Sequence, residues 1–346
     1  MKSCRIGIIG AGRIGKLHAE NICYRLPQFT VAGIADPCID LEWAQLLGIP
    51  LISTQSNDLI NHPAIDAILI ASPSHLHTKQ IIAASEAGKA VFCEKPIGLT
   101  ETDIQHCLAV VERQHTLLQI GFNRRFDPNF ASIHRRVQAG EIGQPNLVRI
   151  TSRDPGWSME YIKTSGGIFM DMTIHDFDMA RFLMHADVIE VYATGSVLIH
   201  PGFAECQDFD TAVIQLRFEN GALGVIDNSR QAVYGYDQRV EVAGDKGLLL
   251  AKNQLQHGAY YFGRGETRSA NPLHFFLERY QEAYIAELEA FYESWLHQQP
   301  SQVTGYDGLQ ALRIAMAANQ SLQTGQPVKL MAAFNNMTES KIGVRA

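Results

Sequence analysis

Short, unbroken apolar runs alternate with longer segments of mixed polarity through the first third of the chain. Cys4–Ile9, Phe29–Ala35 and Asp66–Ala71 are rich in Ile, Val and Ala and bounded by turn residues. Runs of that length and composition predict strands buried on both faces. Ala90–Cys93 and Leu117–Gly121 continue the series. Helical patterns fill the gaps. Leu17, Ile22 and Tyr24 recur at helical spacing, Thr78–Ala87 ends at Gly88, and Thr100 with Asp103 forms a capping pattern. This alternation predicts a doubly wound parallel α/β sheet, in which ligands gather outside the carboxyl ends of the strands. The loops reaching Gly12, Asp36, Ser72, Lys95 and Asn123 then open on one edge.

Beyond about residue 124 the rhythm changes. A helix is predicted over Asn129–Ala139, followed by strands near 147–153, 188–196, 211–218, 224–231, 239–243 and 247–250. Asn220-Gly221 between two of them is a hairpin signal. Long amphipathic helices are predicted over Phe275–Gln298 and Tyr306–Leu322. The expectation is a dinucleotide-binding domain over 1–122 and an α+β domain with a mainly antiparallel open sheet over 123–346. A return of the C-terminal helices to pack on the first domain is compatible with this division.

Composition narrows the function classes. The 346 residues carry a net charge of −7 and no basic block, so nucleic acid and anionic membranes are not expected partners. No apolar run is long enough to span a bilayer. Met1-Lys2-Ser3 leads directly into the first strand, so no signal peptide is expected. Six scattered cysteines without a CxxC pair argue against a disulfide scaffold or structural zinc and favour a reducing cytoplasm.

The first strand runs into Gly10-Ala-Gly12-Arg13-Ile14-Gly15 and then a helix, the context a dinucleotide fingerprint requires. Gly10 makes the tight turn, Gly12 lets the backbone approach a pyrophosphate, and Gly15 lets helix and sheet close up. Arg13 and Ile14, at the helix N-terminus, are candidate phosphate contacts. The second strand ends in Asp36, about twenty residues on, where a carboxylate receives a ribose 2′-hydroxyl and disfavours a 2′-phosphate. The expected cofactor is therefore NAD, with Ser72 on the same edge.

Two further features carry chemistry. Lys95 follows a buried strand and is held extended by Pro96, so its ammonium is a candidate to stabilise charge on a substrate oxygen. Asp171 and His175 stand four apart, a spacing that stacks them on one helix face and lets the carboxylate orient the imidazole. Asp176 and Asp178 nearby raise a metal site as an alternative, but the surrounding Ile174, Phe177, Met179 and Phe182 favour packing, and no metal is expected. Arg125, beside Arg124, either donates to a substrate hydroxyl or makes an ion pair at the domain junction. Tyr234 and Tyr236 either line a polyol pocket or sit exposed in a hairpin. His18, His75 and His77 read as structural.

Taken together, Gly10–Gly15, His18, Glu94-Lys95-Pro96, and Gly166-Gly167 with Asp171 and His175 resemble the glucose–fructose oxidoreductase and inositol dehydrogenase family over essentially the full chain. Phe169–Phe182, Gly121–Asp127 and Tyr234-Gly-Tyr236 are most similar to the inositol-oxidising members. The resemblance implies Lys95, Asp171 and His175 as the catalytic group. Arg125, Thr173 and Tyr234 or Tyr236 would contact a polyol, and Glu94 would lie near the nicotinamide ribose. It also implies a homotetramer and oxidation of myo-inositol to its 2-keto product. Scyllo-inositol or an aldose is an alternative substrate, and a non-catalytic NAD sensor is a reading of another class.

Overall fold

A computed structural model describes residues 2–330. Its first sheet contains β1 (Cys4–Ile9), β2 (Phe29–Ala35), β3 (Ile52–Ser53), β4 (Ala67–Ile70), β5 (Ala90–Glu94) and β6 (Leu118–Gly121). All are parallel, in the order β3-β2-β1-β4-β5-β6. Direction of travel through the sheet reverses between β1 and β4, which leaves a crevice at their carboxyl ends. Ile6, Ile8, Ile68, Leu69 and Ile70 are fully buried because helices cover both faces.

The second sheet has the order β12-β11-β7-β10-β9-β8-β15. Its strands are β7 (Pro145–Arg153), β8 (Val188–Ser196), β9 (Thr211–Phe218), β10 (Leu223–Ser229), β11 (Asp237–Gly244), β12 (Leu248–Ala251) and β15 (Val328–Lys329). Every neighbouring pair is antiparallel except β7 with β10. Asn220-Gly221 turns β9 into β10, with Gly221 at φ 87°. Burial alternates strictly along β9, so one face meets the core and the other stays open. Between β12 and β15 stands a separate hairpin, β13 (Tyr260–Gly263) with β14 (Glu266–Ser269), whose signal the sequence reading did not catch.

The C-terminal helices tie the two sheets together. Thr304 and Asp307 form a reciprocal capping box that starts the helix Gly305–Thr324. Leu309, Ala311 and Leu312 of that helix pack with the first sheet's core, while Ile314, Ala315 and Ala318 pack with the second's. Leu288, Phe291 and Tyr292 of the helix Gln281–His297 close the other side of the first sheet. The single helix expected over Phe275–Gln298 is instead two, Phe276–Arg279 and Gln281–His297. The break falls at Tyr280, which leaves helical geometry while its buried hydroxyl donates to Gln238 Oε1 at 3.2 Å.

Candidate active site

The crevice between β1 and β4 is built for phosphate. Gly10 takes φ 99°, and a Cβ there would meet the Ala71 carbonyl oxygen at 2.4 Å. Gly15 packs so closely that its Cβ would lie 2.0 Å from the Gly10 oxygen. Gly12 caps the helix Arg13–Arg25 with no side-chain bond to its free N–H groups, and a Cβ there would meet nothing within 4 Å. An uncapped helix start facing open space is what a pyrophosphate requires. Asp36 closes β2. Its carboxylate accepts from the Ala11 and Cys38 backbone N–H groups, both at 2.7 Å, which fixes it beside the glycine turn. These residues fit a dinucleotide with an unphosphorylated ribose. Ser72 lies on the same edge, its hydroxyl donating to Gln80 Oε1 at 2.6 Å.

Next to this edge is a cavity of about 120 Å³, whose lining includes Ile14, Glu94, Lys95, Arg124, His175 and Tyr236. A single water needs ~10–15 Å³ on this measure, so the space admits a small organic molecule. Lys95 reaches it from the end of β5, its peptide bond to Pro96 being cis. The Lys95 Nζ donates to the Asp171 backbone oxygen at 2.9 Å and lies 3.5 Å from Asp171 Oδ1. His175 packs edge-on against Phe122. Burial, and then the charges of Lys95 and Arg124, hold its imidazole well below its ordinary value of 6.5. The ring is therefore neutral at physiological pH and free to accept a proton.

Asp171 and His175 both line the cavity, and the hydrogen bonds of the Asp171 carboxylate go to other groups. The segment Phe169–Thr173 winds as a π turn before the α-helix Ile174–Met184 begins. Asp171 lies in the middle of that turn. Its Oδ1 accepts from the Tyr161 hydroxyl at 2.7 Å and its Oδ2 from Arg230 Nη1 at 2.8 Å. Burial alone would raise this carboxyl, but Lys95 and Arg230 outweigh it and the group lies below its ordinary value. The imidazole is instead left with a buried Nδ1 that has no hydrogen-bond partner.

Both parts of the chain match a single family. A family model described as "Oxidoreductase family, NAD-binding Rossmann fold" matches residues 4–122, and the GFO/IDH/MocA C-terminal domain matches residues 130–250. The chain belongs to the GFO/IDH/MocA oxidoreductase family. A myo-inositol 2-dehydrogenase of Thermotoga maritima is 45% identical over 94% of this chain and 98% of its own length. The crystal structure of a probable dehydrogenase from Thermotoga maritima superposes with a TM-score of 0.91 at 44% identity, covering 94% of this chain and 98% of the other. That of a scyllo-inositol dehydrogenase from Lactobacillus casei, with bound NAD(H) and scyllo-inositol, gives 0.89 at 31% identity, covering 95% and 99%.

Within this oxidoreductase the remaining expected residues divide. Arg124, not Arg125, faces the cavity, with Nη1 donating to Asp176 Oδ1 at 2.5 Å and Nη2 lying 3.5 Å from the Tyr236 hydroxyl. Arg125 is spent on Asp178 at 2.5 and 2.8 Å and on Asp307 at 2.9 Å, the junction ion pair that was its other reading. Two acids weighed as metal ligands are thus taken by separate arginines. Thr173 is buried and donates to Asn228 Oδ1 at 2.6 Å, behind the cavity wall. Tyr236 lines the cavity, whereas Tyr234 is exposed and donates to Asp237 Oδ2 at 2.6 Å.

The lining also takes in residues outside the catalytic motifs. Asp154 is buried, bonded to the Trp157 indole, and pushed up to about 6 by burial against the pull of Arg230. Tyr280 and Tyr284 come from the broken C-terminal helix. Beneath Glu94, His18 Nε2 lies 2.7 Å from Glu94 Oε1. Glu287 joins this buried group with both oxygens unpaired, and burial, then Glu94, pushes it well above its ordinary value. No sequence motif links residue 18 to residue 287.

Proposed function

We propose that this chain is an NAD-dependent inositol 2-dehydrogenase that oxidises a ring hydroxyl of myo-inositol to the ketone. One observation carries the reading: an ammonium, Lys95, and a neutral imidazole, His175, line the same small cavity beside a dinucleotide crevice. NAD, when bound, supplies the hydride acceptor. A substrate hydroxyl between the two groups gives its proton to His175, for which the ring must start neutral. Lys95 stabilises the negative charge that grows on the oxygen as the proton leaves. Asp171 keeps that ammonium in place through its backbone oxygen and its carboxylate. Arg124, Tyr236 and Asp154 supply donors and acceptors for the other hydroxyls. The family relationship, with a 45% identical myo-inositol 2-dehydrogenase, supports the substrate.

Scyllo-inositol is the second reading, because a 31% identical relative binds it with NAD(H). The assembly we propose is a homotetramer joined through the open face of the second sheet, where Val213, Leu223, Leu248 and Leu250 are each 45–54% exposed. Six free cysteines support a cytoplasmic setting, and among the described residues no helix is long and apolar enough to cross a membrane. Steady-state assays with NAD or NADP against myo-inositol, scyllo-inositol, D-chiro-inositol and glucose test the reading. Preference for myo-inositol with NAD is expected. Turnover of scyllo-inositol or glucose alone moves the substrate, and NADH binding without turnover of any polyol favours a sensor.

A further inference from the structure

Among the described residues Arg230 is the largest fully buried side chain, only 1% exposed, although it carries a charge. It follows β10 and is anchored there by its own backbone N–H, which donates to the Asp210 oxygen at 2.7 Å. Its guanidinium reaches the π turn from behind. Nη1 donates to Asp171 Oδ2 at 2.8 Å, and Nη2 lies 3.8 Å from Asp208 Oδ2. Asp208 in turn accepts from the Ile168 N–H at 2.8 Å, at the residue where the turn begins. One cation thus holds the π turn at both its entry and its middle. A π turn sacrifices regular helical bonding and persists where its surroundings fix it.

The consequence reaches the cavity through Asp171. Lys95 is held on the backbone oxygen of that residue rather than paired tightly with its carboxylate. The carboxylate is already committed to Arg230 and Tyr161. An ammonium left partly unpaired is one that can donate to a substrate oxygen. Without Arg230, the carboxylate is free to turn onto Lys95 and sequester it. We propose that Arg230 is a positioning residue for the dehydrogenase reaction: it clamps the π turn and occupies Asp171, so that Lys95 presents its ammonium to the substrate. This rests on the dehydrogenase reading above.

The test uses the full-length enzyme with Arg230→Lys, Arg230→Gln and Asp208→Asn. Wild-type turnover of inositol with NAD is the control, and its absence strikes the underlying reading rather than this proposal. In Arg230→Gln, kcat should fall about 100-fold, the size expected when a catalytic group is displaced by ~1 Å. NADH affinity, read by fluorescence, should stay within threefold. Arg230→Lys should recover part of kcat, and Asp208→Asn, which keeps the bond to Asp171, should lose less than tenfold. Loss of NADH binding together with activity would show a merely structural arginine. Wild-type kcat in Arg230→Gln, or no recovery of kcat in Arg230→Lys, would overturn the proposal.

Discussion

Placing alanine at Gly12 and at Gly15 separates cofactor binding from folding within one six-residue loop. In the folded protein a Cβ on Gly12 meets nothing within 4 Å, and the residue already has an extended backbone that alanine adopts. Alanine is a poorer helix cap than glycine, but it also costs the unfolded chain freedom, which offsets the loss. The net change in stability should be within about 0.5 kcal/mol. The space that the Cβ enters is the space a pyrophosphate needs. Losing one charge-assisted hydrogen bond there removes about 1.5–3 kcal/mol. NADH affinity should therefore fall roughly 10- to 150-fold. At Gly15 the added carbon would lie 2.0 Å from the Gly10 oxygen, so helix and loop must separate. That overpacking costs about 1–3 kcal/mol or more before any ligand is added. Urea unfolding and NADH fluorescence titration, run on both variants, measure the two effects independently. A Gly12→Ala protein that binds NADH like the wild type, or that unfolds as readily as Gly15→Ala, would refute the assignment of this crevice.

Other perturbations address the catalytic cavity and the ion pairs behind it. His175→Ala should lower kcat by 10²–10⁴-fold, the usual worth of a general base, with NADH binding intact; near-normal turnover would remove His175 from that role. Asp154, pushed up to about 6, should give kcat/KM an inflection near that pH as the carboxylate regains acceptors for the polyol. The inflection should vanish in Asp154→Asn, and its persistence would assign it to another group. His175 loses activity as pH falls through its own depressed value, which burial and then Lys95 and Arg124 hold well below 6.5. Asp178→Asn should destabilise the protein by about 1.5–3 kcal/mol in urea, because Arg125 loses its charged, doubly bonded partner and keeps only Asp307. Its kcat should be unchanged; a large loss of turnover at normal stability would return Arg125 to the substrate.

The first sheet was legible because each signal was local. Strand, glycine turn, helix and acid follow one another within Cys4–Asp36, and a parallel sheet repeats that unit. The cavity was half legible for the opposite reason. Lys95 and His175 sit in strong local patterns, but Arg124 and Arg125 are adjacent and alike, and which one faces the cavity depends on Asp178 and Asp307 arriving from distant segments. The spacing of Asp171 and His175 was read on α-helical geometry, whereas Gly167 at φ 90° opens into a π turn whose Asp171 carboxylate bonds to Tyr161 and Arg230. Arg230 and Glu287 were invisible as site residues. Each is a lone polar residue in sequence, and only packing of separate elements makes it buried and charged in company. The break at Tyr280 is of the same kind, since amphipathic spacing continues through it.

The central claim is direct transfer of hydrogen from an inositol ring carbon to NAD in the cavity of Lys95 and His175. Its most direct test is turnover of myo-inositol carrying deuterium on the carbon that bears the axial hydroxyl, with the NADH recovered and weighed by mass spectrometry. Deuterium on the nicotinamide ring and the 2-ketone as product are the results this account predicts. NADH without deuterium would place the oxidation at another carbon, and no NADH at all from this substrate would contradict the account.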